Sequence, residues 1–257
     1  MDPYNCTQEL HGGTPDNRFY LMDALEALEE LLPQYAGKVQ LIYLDPPFLT
    51  GDTFSYRQHI ALKGHAKPYT LEQTAYSDTL PPEEYYAFMR KILAGCHELL
   101  SREGSIYLHV DARAGARLRL LLDEIFGENN FLNEIIWHYK SGGRAKTHYS
   151  RKHDNIYFYR KSRDVYFDIA SVGVARGRES RNHMRKEVDE NGRVVFTIRS
   201  GGKVYTYSED TPVYPSDVWA DISHLQQKDP QRTGYETQKP LKLLERIVSC
   251  SSQEGDL

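Results

Sequence analysis

Apolar residues recur at helical spacing in four stretches of the chain, and strand-like runs lie between them. Leu25, Leu28, Leu31 and Leu32 share one face between Ala24 and about Tyr35. Pro81-Pro82-Glu83-Glu84 opens a longer helix, with proline in the first turn and acids at the positive end of the dipole. Tyr85, Phe88, Met89, Ile92, Leu93, Cys96, Leu99 and Leu100 form its stripe. Leu118, Leu121, Leu122, Ile125 and Phe126 predict a third helix that ends at Gly127, and Leu241, Leu244, Ile247 and Val248 predict the inward face of a fourth. Strands are predicted at Arg18–Asp23, Val39–Leu44, Ser105–Asp111, Asn133–Tyr139 and Asp154–Arg160, with Ser101–Gly104 breaking the second helix. Strands alternating with helices predict an α/β fold. The first strand, first helix and Val39–Leu44 read as a βαβ unit that crosses over right-handed into parallel pairing.

Two long segments escape these periods. Residues 49–80 are polar, with few apolar anchors, and predict a loop that closes over a ligand. Residues 165–235 alternate short β-prone pieces, Val194–Ile198 and Lys203–Tyr207, with Gly, Asp and Asn turns.

Val39–Leu44, with only Gln40 polar, runs into Asp45-Pro46-Pro47-Phe48. Two prolines cannot extend a sheet ladder, so the chain turns stiffly there. An α/β sheet binds ligands at the carboxyl ends of its strands, which is where this carboxylate, proline carbonyl and aromatic ring would stand. Asp45 and the Pro46 carbonyl can only accept hydrogen bonds, and an exocyclic base amine has two to donate. Accepting both draws the nitrogen lone pair out of conjugation and makes the amine a better nucleophile. Phe48 can stack on a base extruded from a duplex. The commonplace alternative is an acid at a strand end followed by a rigid turn.

Strand-Asp-Pro-Pro-aromatic resembles the catalytic motif of the amino-DNA methyltransferases, which methylate adenine N6 or cytosine N4. The Asp form is closer to the adenine enzymes, since the cytosine-N4 enzymes usually carry Ser; Phe48 stands where Tyr is commoner. Far downstream, Gly234-Tyr235-Glu236-Thr237-Gln238-Lys239-Pro240 resembles the motif that binds the methionine part of the cofactor, with Thr237, Gln238, Lys239 and Pro240 matching its core. Alone, Gln-Lys-Pro before a helix says little. After a catalytic turn, a hairpin and an irregular region, it matches the circularly arranged subgroup often called the beta class.

The resemblance implies a Rossmann-like S-adenosylmethionine-dependent methyltransferase sheet with an irregular, β-rich target-recognition insertion. Residues 1–164 would be the catalytic core, 165–235 the recognition region and 236–257 the start of the cofactor-binding part. Asp23 would contact the adenine of S-adenosyl-L-methionine; its residue type and place equally suit an N-cap for the helix from Ala24. The implied partners are double-stranded DNA with a flipped target base, and a second copy of the chain or a cognate restriction endonuclease. The subgroup's sheet continues into a strand and a Phe-x-Gly-x-Gly loop, which this sequence does not contain. The chain therefore reads as truncated before that loop, with an incomplete sheet and no activity of its own. Two strands of the family's sheet would also stand between Arg18–Asp23 and Val39–Leu44, so the resemblance predicts that the first is detached or paired elsewhere.

Composition alters this picture in one respect. The net charge of −4 does not advertise nucleic-acid binding, but residues 138–163 hold eight basic residues against Asp154 alone. Residues 176–203 hold eight more against four acids. Lys140, Arg144, Lys146, Arg151 and Lys152, around Gly142-Gly143, are candidates to neutralise DNA phosphates. A solvated charged hairpin is the plainer account. His109 and Asp111 read as a structural pair at a strand end. Three cysteines without a Cys-x-x-Cys pair argue against a disulfide or zinc framework and point to a reducing, cytoplasmic setting. None follows a proline, as the nucleophile of cytosine-C5 methylation usually does. No metal, no membrane span and no signal peptide are predicted. Two readings stay beside adenine-N6 methylation: cytosine-N4 methylation, and a non-catalytic DNA-binding fragment or subunit.

Overall fold

The computed structural model describes residues 6–9, 17–60, 69–140, 145–174 and 183–257. Its elements in chain order are β1 (Cys6–Glu9), β2 (Arg18–Leu21), α1 (Ala24–Tyr35), β3 (Val39–Leu44), β4 (Thr53–Ile60), β5 (Tyr69–Ser77), α2 (Pro82–Leu99), β6 (Leu100–Val110) and α3 (Gly115–Phe126). These are followed by β7 (Phe131–His138), β8 (His153–Arg160), β9 (Arg185–Val188), β10 (Val194–Ser200), β11 (Lys203–Ser208), β12 (Val218–Trp219) and α4 (Leu241–Ser251).

A five-stranded sheet in the order β12-β7-β8-β6-β3 carries the fold. β3 and β6 pair in parallel, as do β12 and β7, whereas β8 runs antiparallel to both its neighbours. The strand alternation gives the sheet two faces, each with its own core. One face presents Ile106, Leu108, Tyr157 and Tyr159 to the stripes of α1, α2 and α3. The other presents Tyr107, Ile135, Trp137, Ile156 and Phe158 to α4, Trp219 and Ile222. Burying a large apolar side chain is worth about 2 kcal/mol. The fully buried Leu93, Leu108, Leu118 and Leu122 therefore make the α2–β6–α3 layer the firmest support beneath β3.

Gln40, the one polar residue of β3, is buried with its amide satisfied. It donates to the carbonyls of Glu103 and Ser251 and accepts from Ser101 Oγ. At Gly104 a β-carbon would lie 2.8 Å from the Val39 carbonyl oxygen, so only glycine lets β3 and β6 approach there.

Four expectations are corrected. β2 does not pair in parallel with β3; it forms a separate antiparallel pair with β1, so β2, α1 and β3 do not make a βαβ unit, and the parallel partner of β3 is β6, reached through α2. Residues 53–60 and 69–77 are not irregular. They contain an antiparallel ribbon, β4 with β5, built from segments rich in Thr, Tyr and other β-prone residues. The helix does end before Ser101, but the next strand starts at Leu100 and not at Ser105: residues 101–104 lie within β6 as an irregularity, since Val39 pairs with Leu100 and Leu41 already with Ser105. In α4 the buried face is Leu243, Arg246, Ile247 and Cys250, while Leu241 and Val248 are exposed. The shift follows from Arg246, whose guanidinium reaches the Asp221 carboxylate at 3.1 and 2.5 Å and lies 5.0 Å from the centre of the Trp219 ring.

β9, β10 and β11 form a three-stranded antiparallel sheet of their own. Among the described residues no helix is long and apolar enough to cross a membrane.

Candidate active site

The chain leaves β3 at Leu44 and enters the Asp45–Phe48 turn at the carboxyl edge of the parallel strands. The turn lines a cleft of about 390 Å³ together with Asp23, Thr50, Asp78, Tyr235, Thr237 and Lys239. Residues far apart in sequence, from the end of β2, the end of β3 and the segment before α4, thus converge on one space.

The turn is held from beneath by Asp78, which is 3% exposed. Its carboxylate accepts from the backbone N–H groups of Phe48 (3.0 Å), Leu49 (3.0 Å) and Thr50 (2.8 Å), and from Thr50 Oγ1 (3.0 Å). Successive N–H groups converging on one carboxylate are an anion nest filled by the protein's own side chain. The clamp sustains a left-handed φ of 56° at Leu49, a conformation that costs a residue with a β-carbon about 1 kcal/mol. On the other side, Tyr85 Oη donates to the Pro47 carbonyl at 2.7 Å and fixes the peptide plane next to Pro46. Burial, with Asp78 nearby, raises the Tyr85 phenol above its ordinary range, so it remains a donor.

Above the turn, Lys239 Nζ lies 2.8 Å from Asp45 Oδ1 and 2.6 Å from Oδ2. The same ammonium stands 5.2 Å from the centre of the Phe48 ring. The pair is 12% and 28% exposed at its side chains, sheltered but open to the cleft. Asp23 lines the cleft and caps α1 as well, accepting from the Leu25 N–H through Oδ1 at 2.8 Å. Gln238 turns away, accepting from Thr233 N–H at 2.8 Å and donating to the Gln231 carbonyl at 2.8 Å. It organises the segment that presents Thr237 and Lys239, and Pro240 ends that segment as the N-cap of α4.

Behind Phe48, Tyr43 Oη lies 2.6 Å from His109 Nδ1, and His109 Nε2 lies 3.2 Å from Asp154 Oδ2. His109 is therefore not paired with Asp111, which instead holds Arg113 at 2.6 Å. Of the basic candidates, Lys140, Lys146 and Arg151 are exposed and Lys152 is half-buried, all in the connection from β7 to β8. Arg144, with Gly142-Gly143, lies outside the described residues.

Asp78, Tyr85 and the contact of Lys239 with Asp45 escape a reading of the sequence. The Tyr76-Ser77-Asp78 piece just before Pro81-Pro82 was the available signal for Asp78, and Tyr85 sits inside a stripe that reads as pure core.

A family model described as "DNA methylase" matches residues 39–257. The chain is 27% identical to the type II methyltransferase M.EcaI of Enterobacter cloacae over 94% of its own length and 60% of that protein's. It is 28% identical to the EcoPI Mod subunit, a type III restriction-modification enzyme of Escherichia phage P1, over 76% of its length and 35% of the relative's. The chain thus spans between about a third and three-fifths of these curated relatives. Its fold matches the solved PvuII DNA methyltransferase (cytosine-N4-specific) with a TM-score of 0.52 at 13% identity, covering 92% of this chain and 71% of that one.

Proposed function

The chain belongs to the DNA methylase family, and on that premise we propose that its protein transfers a methyl group from S-adenosylmethionine to the N6 amine of adenine in DNA. The position of Lys239 carries this reading. Its ammonium gives hydrogen bonds to both Asp45 oxygens and rests over the Phe48 ring. A base amine has the same requirements: a nitrogen with protons to donate, attached to a ring that needs an aromatic partner. The lysine stands where a flipped adenine stacked on Phe48 would place its amine, and it swings aside when the base enters.

The cleft suits the cofactor's chemistry. Lys239, once displaced from Asp45, can meet a carboxylate. Asp23 uses Oδ1 for its cap and has a second oxygen to offer, and Phe48 and Tyr235 supply ring surface. When bound, S-adenosylmethionine supplies an electrophilic methyl group. Asp45 and the Pro46 carbonyl would accept hydrogen bonds from the two amine protons and so orient the nitrogen lone pair, and Asp45 could take the proton that the amine sheds once methylated. The gain comes from positioning and electrostatics without a covalent enzyme intermediate. Lys140, Arg144, Lys146, Arg151 and Lys152 would neutralise DNA phosphates. Residues 165–235, with the β9–β11 sheet, would read the sequence. The choice of adenine over cytosine rests on Asp45, because both amines present the same two protons.

The test is incorporation of labelled methyl groups into unmethylated plasmid DNA by the complete protein that carries this chain. Incorporation that disappears in Asp45→Asn, with DNA binding kept within about threefold, supports the reading. Absence of incorporation by the wild type overturns it.

A further inference from the structure

Four polar side chains stand in series behind Phe48, and the mechanism above uses none of them. Tyr43 Oη of β3 lies within hydrogen-bond distance of His109 Nδ1 of β6, and His109 Nε2 meets Asp154 Oδ2 of β8. Asp154 Oδ1 accepts from Tyr139 Oη, just past β7, at 3.0 Å. In the sheet order β7-β8-β6-β3 the series crosses every strand in turn. His109 is wholly buried and the Asp154 side chain is 13% exposed.

With a neutral imidazole the series is fully satisfied when Tyr139 and His109 Nε2 donate to the Asp154 carboxylate and Nδ1 accepts from Tyr43. Burial, then Asp45 and Asp154, raises the Tyr43 phenol, which keeps its proton. A fully satisfied buried series of this kind holds one arrangement, where apolar packing would tolerate several.

Two members of the series, His109 and Tyr139, touch working parts. The His109 ring lies 5.8 Å from the Phe48 ring at 33°, and Trp137 closes its other side edge-on at 5.5 Å. The Tyr139 N–H donates to the Lys152 carbonyl at 2.9 Å, at the foot of the basic connection. We propose that Tyr43, His109, Asp154 and Tyr139 form a positioning device that sets the Phe48 ring as the platform for the target base and ties that platform to the DNA-facing basic connection. The inference rests on the reading that Phe48 stacks the flipped base. His109 is a positioning residue here, since it touches Phe48 and not the substrate.

The experiment uses the complete protein, with kcat and KM measured on plasmid DNA. It adds 2-aminopurine fluorescence in a duplex carrying, at the target position, the sequence that the wild type methylates. Tyr43→Phe, which removes only a hydroxyl, should lower kcat about tenfold. It should leave the cofactor KM within about twofold, and flipped 2-aminopurine should become brighter as its stacking on Phe48 loosens. His109→Leu should do the same. His109→Gln, which keeps a donor and an acceptor, should recover to within about threefold of the wild type. If Tyr43→Phe and His109→Leu keep wild-type kcat and quenching, the series only packs the core and the proposal is overturned. Should His109→Leu fail to fold, Tyr43→Phe alone decides. A wild type that methylates no DNA would instead defeat the underlying reading, which a silent variant cannot do.

Discussion

Replacing Asp78 with alanine should disable the catalytic turn while leaving the rest of the molecule standing. The carboxylate accepts four hydrogen bonds from residues 48–50, three of them from backbone N–H groups. A hydrogen bond to a charged group contributes about 1.5–3 kcal/mol net. The turn is only half-buried and water can take over part of that role, so a total of about 3 kcal/mol is the reasonable figure for the clamp. Leu49, held at a φ of 56°, has about 1 kcal/mol to gain by relaxing. The hydrogen bond from Tyr85 to Pro47 opposes release, contributing about 1 kcal/mol. The last two contributions cancel, so losing the clamp shifts the equilibrium between the turn in place and the turn released by about 3 kcal/mol, which caps the loss of activity at about 150-fold. The assay is kcat/KM for methyl transfer by the complete protein, alongside duplex binding and a thermal melt. We expect kcat/KM to fall clearly, by up to that factor, DNA affinity to stay within about threefold, and Asp78→Asn, which keeps one acceptor oxygen, to fall between. An Asp78→Ala variant within threefold of wild-type kcat/KM would refute the argument that the turn depends on this clamp.

Lys239→Met should weaken S-adenosylmethionine binding about tenfold, the worth of one charge-assisted contact, with DNA affinity unchanged. An unaltered calorimetric Kd for the cofactor would confine the lysine to its pairing with Asp45. Neutralising Arg151 and Lys152 to Gln should weaken binding to every duplex alike and flatten the dependence of affinity on salt; an unchanged salt slope would mean that neither residue meets phosphate. Burial pushes the Cys96 thiol up from 9.0 to about 12, so at pH 8 it should react with a maleimide only after unfolding, as peptide mapping would show. The folded value is the raised one, so the stability linked to this thiol is complete below about pH 9 and lost as pH climbs through 12. Rapid labelling of native Cys96 would contradict its place in the α2 stripe.

The parts of this molecule legible from its sequence are those where one residue's surroundings are set by its near neighbours. The α2 and α3 stripes are such cases, and so are the turn imposed by Pro46-Pro47 and the two strands flanking the basic connection. The β4–β5 ribbon is signalled by the near-alternation of polar and apolar residues over Thr53–Ile60, which the overall polarity of residues 49–80 masks when the segment is read as a whole. The buried face of α4 is misread because Arg246 counts as polar, although Asp221 and Trp219, both distant in sequence, let it lie inside. The same holds for the site. Asp45 and Phe48 announce themselves, while the ammonium bound to Asp45 comes from 194 residues away, and His109 meets Asp154 rather than the nearer Asp111. Long-range pairing of polar groups leaves no local periodicity, and here it determines how the turn is held.

If the Asp45–Phe48 cleft presents the amine of a flipped adenine for methylation, the product is readable in DNA. Mass spectrometry of nucleosides would be run on DNA from cells expressing the complete protein and, separately, its Asp45→Ala form. N6-methyladenine is expected with the wild type and none with the variant. N4-methylcytosine in place of N6-methyladenine, or methylation that persists without Asp45, would contradict that reading.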